Sequence, residues 1–390
     1  MNLFDYEESQ IEKDPADLNE IGYPVKTFDP REIDITVEQQ NIDFLLYKME
    51  YDFDKIDDED LTFNLNAGVI DLNTEFQRSK DLWSQIQMSR LIESILIRFP
   101  LPAFYFDTTT KNKWQIIDGL QRLSTLRKFI IEKKEPLKLK GLEFLDKDKF
   151  EDITFDKLPE PMQRTIRNTQ VILILIRPGT PKEVKYRIFE RVNTGGLKLN
   201  KQEIRHAINQ GIPSNYVKDL AESKEFKKLT RINNRRMEDR ELCLRFIAFK
   251  LKKYDLYQPP MYNFLDLAME EIGKIDKPKR NSLRKEFIAG LSTIEKLLGI
   301  NAFSSKVLDE TVKVSQVNKA IFECLLTCIS NLGDEERNDL VLKKGEFIDA
   351  YANVLLNESF IDSITLHTSD KLSIKNRFDL VVELLAKVLK

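Results

Sequence analysis

The stretch Trp114-Gln115-Ile116-Ile117-Asp118-Gly119-Leu120-Gln121-Arg122-Leu123-Ser124-Thr125-Leu126 decides how this chain is read. Residues 114–117 are mostly aromatic and β-branched, which predicts a short buried strand. Asp118-Gly119 is a turn signal, because glycine tolerates the backbone angles of a sharp reversal. From Gln121 onward Leu123, Leu126, Phe129 and Ile130 fall at helical spacing. The unit is strand, tight turn, helix. Its first helical turn carries Gln121, Arg122, Ser124 and Thr125. Unpaired N–H groups at a helix start, beside an arginine and hydroxyls, make an anion site. Asp118, at the strand's carboxyl end, is placed to hold a metal ion or orient a water. The same unit also occurs in folds with no ligand at the corner, where Arg122 would be an ordinary surface cation. It is neither a Walker loop nor a dinucleotide fingerprint.

Outward from this unit the pattern alternates. Residues 61–72 read as a strand pair or an extended segment, with Ala67-Gly68 at the turn. An amphipathic helix follows over 81–99, stopped by Pro100. Residues 103–106 read as a strand, 134–163 as an irregular charged insert, and 171–176 as a buried strand. Pro181 opens a helix to Val192, which Asn193-Thr194-Gly195-Gly196 ends. Asn200, with Glu203 three residues on, predicts a capping box. The remainder reads as helical, with breaks at Gln258-Pro259-Pro260, Pro278, Gly299 and Gly333. This is an α+β core followed by a helical domain. The expected boundaries are an acidic, loosely attached arm over 1–60, a core over 61–200 and a helical domain over 201–390. Within the arm, 37–49 reads as a helix.

Three ordered blocks carry a resemblance. Ile117 to Leu126 is similar to the signature of the GmrSD-type restriction N-terminal domain family. Upstream, Phe76-Gln77-Arg78, Trp83, residues 91–95 and Pro100-Leu101-Pro102 resemble its opening block. Downstream, Phe189 to Gly196, with Leu199 and Glu203, resembles its second signature. The chain departs at Leu120, where the family usually has glutamine. The resemblance implies a ParB/sulfiredoxin-like fold that binds, and hydrolyses, a nucleoside triphosphate with Mg2+, and a role in defence against phage or modified foreign DNA. It implies catalytic roles for Asp118, Gln121 and Arg122, with Asp118 on the metal. Gln77, Arg78, Gly119, Ser124, Thr125, Arg191, Asn193, Thr194, Gly195 and Gly196 would line the nucleotide pocket. Related two-domain restriction proteins end in an HNH nuclease domain, for which residues after 200 offer no paired histidines.

Composition bounds the rest. The chain has 390 residues, 42% hydrophobic and 32% charged, as in a globular protein. No run approaches a membrane span, and the amino terminus lacks a signal pattern, so a cytoplasmic location is expected. Cys324 and Cys328 lie in an apolar helical stretch and read as core rather than metal ligands. Residues 1–60 carry 19 acidic and 5 basic residues, leaving a basic body that suits a polyanionic partner. Residues 224–253 hold 11 Lys or Arg against 4 Asp or Glu. Within them Lys227, Lys228, Arg231, Arg235 and Arg236 are the candidate DNA contacts, and a solvated face is the plainer alternative. Asp239 and Arg240 suit a structural ion pair, and His206 reads as structural. Two other functions stay open: a DNA-binding sensor without turnover, and an enzyme acting directly on DNA as a nuclease or base-excising enzyme. A homodimer also stays open.

Overall fold

The computed structural model describes residues 29–50, 69–71, 83–109, 113–192, 200–232, 235–309, 311 and 316–390. They fall into two units, one within Val25–Leu199 and one within Asn200–Lys390.

The first unit is α+β. Its sheet has five strands: β1 (Ile35–Asn41), β2 (Val69–Asp71), β3 (Phe104–Asp107), β4 (Lys113–Asp118) and β5 (Gln170–Ile176). Their order is β1-β5-β3-β4-β2, with β1·β5 and β3·β4 antiparallel and β3·β5 and β2·β4 parallel. Around them pack α1 (Ile42–Glu50), α2 (Gln85–Leu96), α3 (Leu120–Ile130), α4 (Lys147–Phe150), α5 (Glu160–Asn168) and α6 (Lys182–Val192). The core comes from Ile92 and Ile95 of α2, Phe104 and Phe106 of β3, Leu123 and Leu126 of α3, and Leu173 and Leu175 of β5. The strands expected at 103–106, 114–117 and 171–176 are present to within a residue or so.

The expected loosely attached arm does not hold for residues 35–50. Strand β1 pairs with β5 over its whole length, from Ile35↔Ile176 to Asn41↔Gln170. Arg177 donates from its backbone to the Asp34 carbonyl at 2.8 Å, and Arg177 reaches Glu38 at 2.7 Å. Ile42, Leu45 and Leu46 of α1 are buried in the core. The helix expected over 37–49 is thus a strand followed by a helix. The alternation at Val37 and Gln39 belongs to a half-covered edge strand, and the helical spacing begins only at Ile42. The remainder of the expected arm, 1–28 and 51–60, and the turn at Ala67-Gly68 lie outside the described residues.

Helix α2 starts at a capping box: the Ser84 side chain accepts from the Gln87 N–H at 3.3 Å, and Gln87 Oε1 accepts from the Ser84 N–H at 2.9 Å. Midway along α2, the buried Glu93 carboxylate holds down the charged insert. It accepts from the backbone N–H groups of Glu143 (3.0 Å), Phe144 (2.7 Å) and Leu145 (2.8 Å). The insert has no strand among its described residues, and Gln85 and Ser89 of the same helix add bonds to Lys138 and Lys140. The insert also contributes α4 and α5.

The second unit is helical: α7 (Lys201–Ile208), α8 (Ile212–Ala221), α9 (Lys224–Thr230), α10 (Glu238–Leu251), α11 (Met261–Lys274), α12 (Lys277–Leu298), α13 (Lys319–Ser330), α14 (Asp334–Leu342), α15 (Lys344–Leu355), α16 (Glu358–Thr365) and α17 (Lys371–Val388). The expected capping box at Asn200 is present, with bonds of 2.7 and 2.8 Å between Asn200 and Glu203. The expected breaks coincide with helix ends at Pro260, Gly299 and Gly333 and with the start of α12 at Lys277-Pro278. Cys324 and Cys328 are buried in the apolar core, as expected. Among the described residues, no helix is long and apolar enough to cross a membrane.

Burial alone would raise the Glu93 carboxyl, but its three backbone donors and nearby Arg90 outweigh this and hold it below the usual range. A depressed carboxylate stabilises the fold above its unfolded pKa and loses that contribution as pH falls through the folded value. Glu93→Gln is expected to cost about 1.5–3 kcal/mol at neutral pH, as for bonds to a charged group. The gap between variant and parent should shrink as pH falls below about 4.3. Urea denaturation at several pH values checks both; a gap that is absent at neutral pH, or constant with pH, contradicts the assignment.

Candidate functional site: the Asp118–Arg122 loop

The candidate site starts where β4 ends. Asp118 is its last residue, opposite Tyr105 of β3, and the pairing slips between Tyr105 and Phe106. Gly119 then takes φ 103, a left-handed conformation that glycine adopts without strain, and caps α3. Its lack of a side chain is also a packing requirement. A Cβ there would lie 2.5 Å from Phe104 Cδ1. Gly119, as the capping residue, has no side chain to bond the first turn of α3, so its N–H groups are left to other partners.

Arg122 is not a surface cation. It is 7% exposed and stacks over the Phe104 ring with its guanidinium carbon 4.4 Å from the centroid. Its Nη1 donates to the Pro102 carbonyl, and its Nη2 donates to the Ala103 carbonyl at 3.0 Å and to Asp118 Oδ2 at 2.7 Å. The arginine therefore ties the turn after β4 to the segment leading into β3. Burial pushes the Asp118 carboxyl up. The charge and hydrogen bond of Arg122 and the Gly119 N–H oppose that without cancelling it. Burial likewise lowers Arg122, against the pull of Asp118.

The other expected pocket residues differ in their surroundings. Gln121 shares the loop with Asp118 and Arg122, and its Oε1 accepts from the Trp83 N–H at 3.3 Å. Ser124 is half-buried on α3. Thr125 is buried, and its hydroxyl donates to the Gln121 carbonyl at 2.8 Å, which turns it into the helix. Leu120, where the resembled signature has glutamine, is buried in the core. Arg191 is exposed on the last turn of α6. Gln77, Arg78, Asn193, Thr194, Gly195 and Gly196 lie outside the described residues. Asp118 is one carboxylate; among the described residues no group of three or more His, Cys, Asp or Glu side chains could hold a metal ion.

A pair that sequence reasoning missed anchors α6. Lys185 Nζ lies 3.0 Å from Asp107 Oδ2 and donates to Thr109 Oγ1 at 2.6 Å, with both charged residues buried. This fixes the helix that leads to Arg191 and the Asn193–Gly196 segment. The only sequence signal was an aspartate closing an otherwise apolar strand, Phe104 to Asp107.

The candidate DNA contacts in the helical unit are less free than their sequence suggests. Arg236 pairs with Glu203 at 2.8 Å, and its carbonyl accepts from Asn200 Nδ2 at 2.7 Å. Lys228 pairs with Glu295. Arg231 is half-buried at the end of α9, and its Nη2 donates to the Ile300 carbonyl at 3.4 Å. Lys227 is exposed, and the Arg235 side chain is outside the described set. Arg240 and Arg245, which raised the basic density of this stretch, are buried: Arg240 lies 3.0 Å from the His206 ring, and Arg245 binds Glu241 and Glu323 at 3.0 Å each. His206 is buried too and acts as a structural neighbour of Arg240.

Two substitutions test the loop. Gly119→Ala is expected to cost about 1–3 kcal/mol, because the left-handed backbone and the Phe104 contact both oppose a Cβ. Arg122→Ala is expected to cost about 2–3 kcal/mol, since it leaves two carbonyls and a carboxylate without their donor. Arg191→Ala, at an exposed position, should stay within about 0.5 kcal/mol of the parent. Thermal and urea unfolding read all three. An Arg122→Ala protein as stable as the parent contradicts the anchoring role.

No curated protein and no solved structure matches this chain. A family model does match, and it spans the loop, the segment before α2 and the end of α6: residues 53–210 match the family described as GmrSD restriction endonuclease, N-terminal domain.

Proposed function

We propose that the N-terminal unit binds and hydrolyses a nucleoside triphosphate, and that the protein couples this to sensing DNA in restriction-type defence against phage. The observation that carries this reading is the start of α3, opened by Gly119 beside the paired Asp118 and Arg122, inside a segment that matches a restriction endonuclease domain. A helix start favours phosphate oxygens through its N–H groups and its dipole. Arg122, with both terminal nitrogens engaged, holds Asp118 in place and lends positive charge to the floor of the pocket. Gln121, on the same first turn, orients a water. Arg191 and the residues of the other two signature blocks, Gln77, Arg78, Asn193, Thr194, Gly195 and Gly196, complete the phosphate shell. Phosphoryl transfer asks mainly for positioning and charge neutralisation, which these residue types supply.

A divalent ion fits the donor chemistry. Mg2+ commonly takes one or two carboxylates and the substrate's own phosphate oxygens, and Asp118 offers one carboxylate. When bound, the ion would neutralise charge on the transferred phosphoryl group. Asp118, ionised against its burial with the help of Arg122, would hold it there.

DNA is assigned to the helical unit through Lys227, Lys228, Arg231, Arg235 and Arg236, and a methylated or otherwise modified duplex is the proposed target. A second reading, a sensor without turnover, is favoured by Leu120. That side chain is spent on the core, so the loop holds one polar group fewer.

Turnover of labelled triphosphate, with and without DNA, separates the two readings. Hydrolysis that Asp118→Asn lowers at least about 100-fold, with nucleotide affinity retained, supports the first. Tight binding of a nonhydrolysable triphosphate with no turnover under either condition supports the second. For the DNA surface, the triple variant Lys227→Gln, Lys228→Gln, Arg231→Gln should weaken duplex binding for all sequences alike. It should also flatten the log–log salt slope by about 2–3 units. An unchanged slope removes this segment from the interface.

A further inference from the structure

A second cation in the N-terminal unit is held in an unfavourable backbone position. After α2 the Arg98 N–H donates to the Ile95 carbonyl at 3.0 Å and the Phe99 N–H to the Ser94 carbonyl at 2.8 Å. This is the helix stop that usually places glycine in the left-handed position. Here Arg98 occupies it, with φ 63. Any side chain other than glycine is disfavoured there, so the position points to a use for the arginine. Arg98 is exposed, and its side chain meets no carboxylate among the described residues.

Arg98 and Phe99 line an open groove of about 620 Å3, together with Leu101, Arg164, Asn168 and Gln170. No carboxylate belongs to this lining. Arg164 does pair with Glu160, but both side chains are more than two-thirds exposed, and such a pair yields readily to a phosphate. Phe99 is 50% exposed and Phe144 66% exposed, and their rings meet edge to face with centroids 5.8 Å apart. An aromatic pair left in water beside two arginines is a stacking platform next to a phosphate track. The amides of Asn168 and Gln170 can donate to and accept from base edges.

We propose that this groove binds single-stranded DNA, with Arg98 and Arg164 on its phosphates and a base stacked on Phe99. Duplex DNA fits the features less well, because its bases are stacked on each other and offer no free ring to Phe99. The groove adjoins the candidate loop through Leu101-Pro102, whose second residue gives its carbonyl to Arg122. The proposal goes beyond the triphosphate reading and does not rest on it.

Binding of labelled oligo-dT to the full chain, followed by fluorescence anisotropy, tests the groove. Arg98→Gly removes the cation and relieves the backbone, so it should melt at or above the parent temperature. It should bind the oligonucleotide several-fold more weakly and flatten its salt slope by about 0.7. Phe99→Ala should weaken the same binding about tenfold through lost stacking. Neither change should alter duplex binding, which is read in a parallel arm. Unchanged oligonucleotide affinity in both variants overturns the proposal. An equal loss for duplex and single strand also overturns it, because charge alone would then explain the effect. Displacement of the oligonucleotide by micromolar free triphosphate would assign the groove to the nucleotide and overturn it as well. Absence of triphosphate turnover leaves the oligonucleotide result standing and bears only on the earlier reading.

Discussion

The buried guanidinium of Arg122 is the constraint on which the N-terminal unit depends. A cation so far out of water persists only where fixed acceptors replace its hydration. Two backbone carbonyls, one carboxylate and an aromatic face do so, and each fixes something else. The carbonyls require residues 102 and 103 to arrive beside the start of α3. The carboxylate requires β4 to end at Asp118. The ring requires Phe104 to sit under Gly119, which only glycine permits. The slipped pairing between Tyr105 and Phe106 is the local adjustment that lets these demands be met together.

The helical unit handles buried charge on a larger scale. Glu323, fully buried, receives Arg245 from α10 and Arg377 from α17, while Lys319 and Arg245 share Glu241. Arg377 also donates to the carbonyls of Ser363 and Thr368. These contacts lock four helices to one another through directional bonds, where apolar packing alone would leave more freedom of register. Their net worth relative to an apolar core is small or even negative. Their effect is that removing any one partner strands the others.

The difference between what was legible and what was not follows from the range of the interactions. The turn at Asp118-Gly119 and the capping box at Asn200 rest on neighbours within a few residues, and the strand at 170–176, though its partners β1 and β3 are distant, shows itself as one continuous apolar, β-branched run. Strand β1 rests on a partner more than a hundred residues away, so its short alternation merged with the helical spacing that begins at Ile42. Arg122 looked like a free phosphate ligand because its acceptors, Pro102 and Ala103, are backbone atoms, which no side-chain pattern reveals. Glu93 stood within a recognised block, yet its three N–H donors belong to a segment fifty residues on. Basic density between 224 and 253 overstated the available surface because it cannot separate Lys227, which is exposed, from Arg245, which is buried. Of the candidate pocket, the loop from Asp118 to Arg122 could be placed, while the Gln77-Arg78 and Asn193–Gly196 segments fall outside the described residues.

The pairing of β1 with β5 sets the order in which the unit can be assembled on the ribosome. Residues 35–41 emerge early but have no partner until 170–176 has been made, so the edge strand must wait while the chain between them is synthesised. The same pairing sets where the domain can be cut. The family match begins at residue 53, beyond β1 and α1. A fragment started there would leave the ladder of Gln170-Val-Ile-Leu-Ile-Leu-Ile176 open along one side, and that is a template for joining sheet to sheet between molecules. The physical domain is therefore longer at its amino end than the stretch that identifies it.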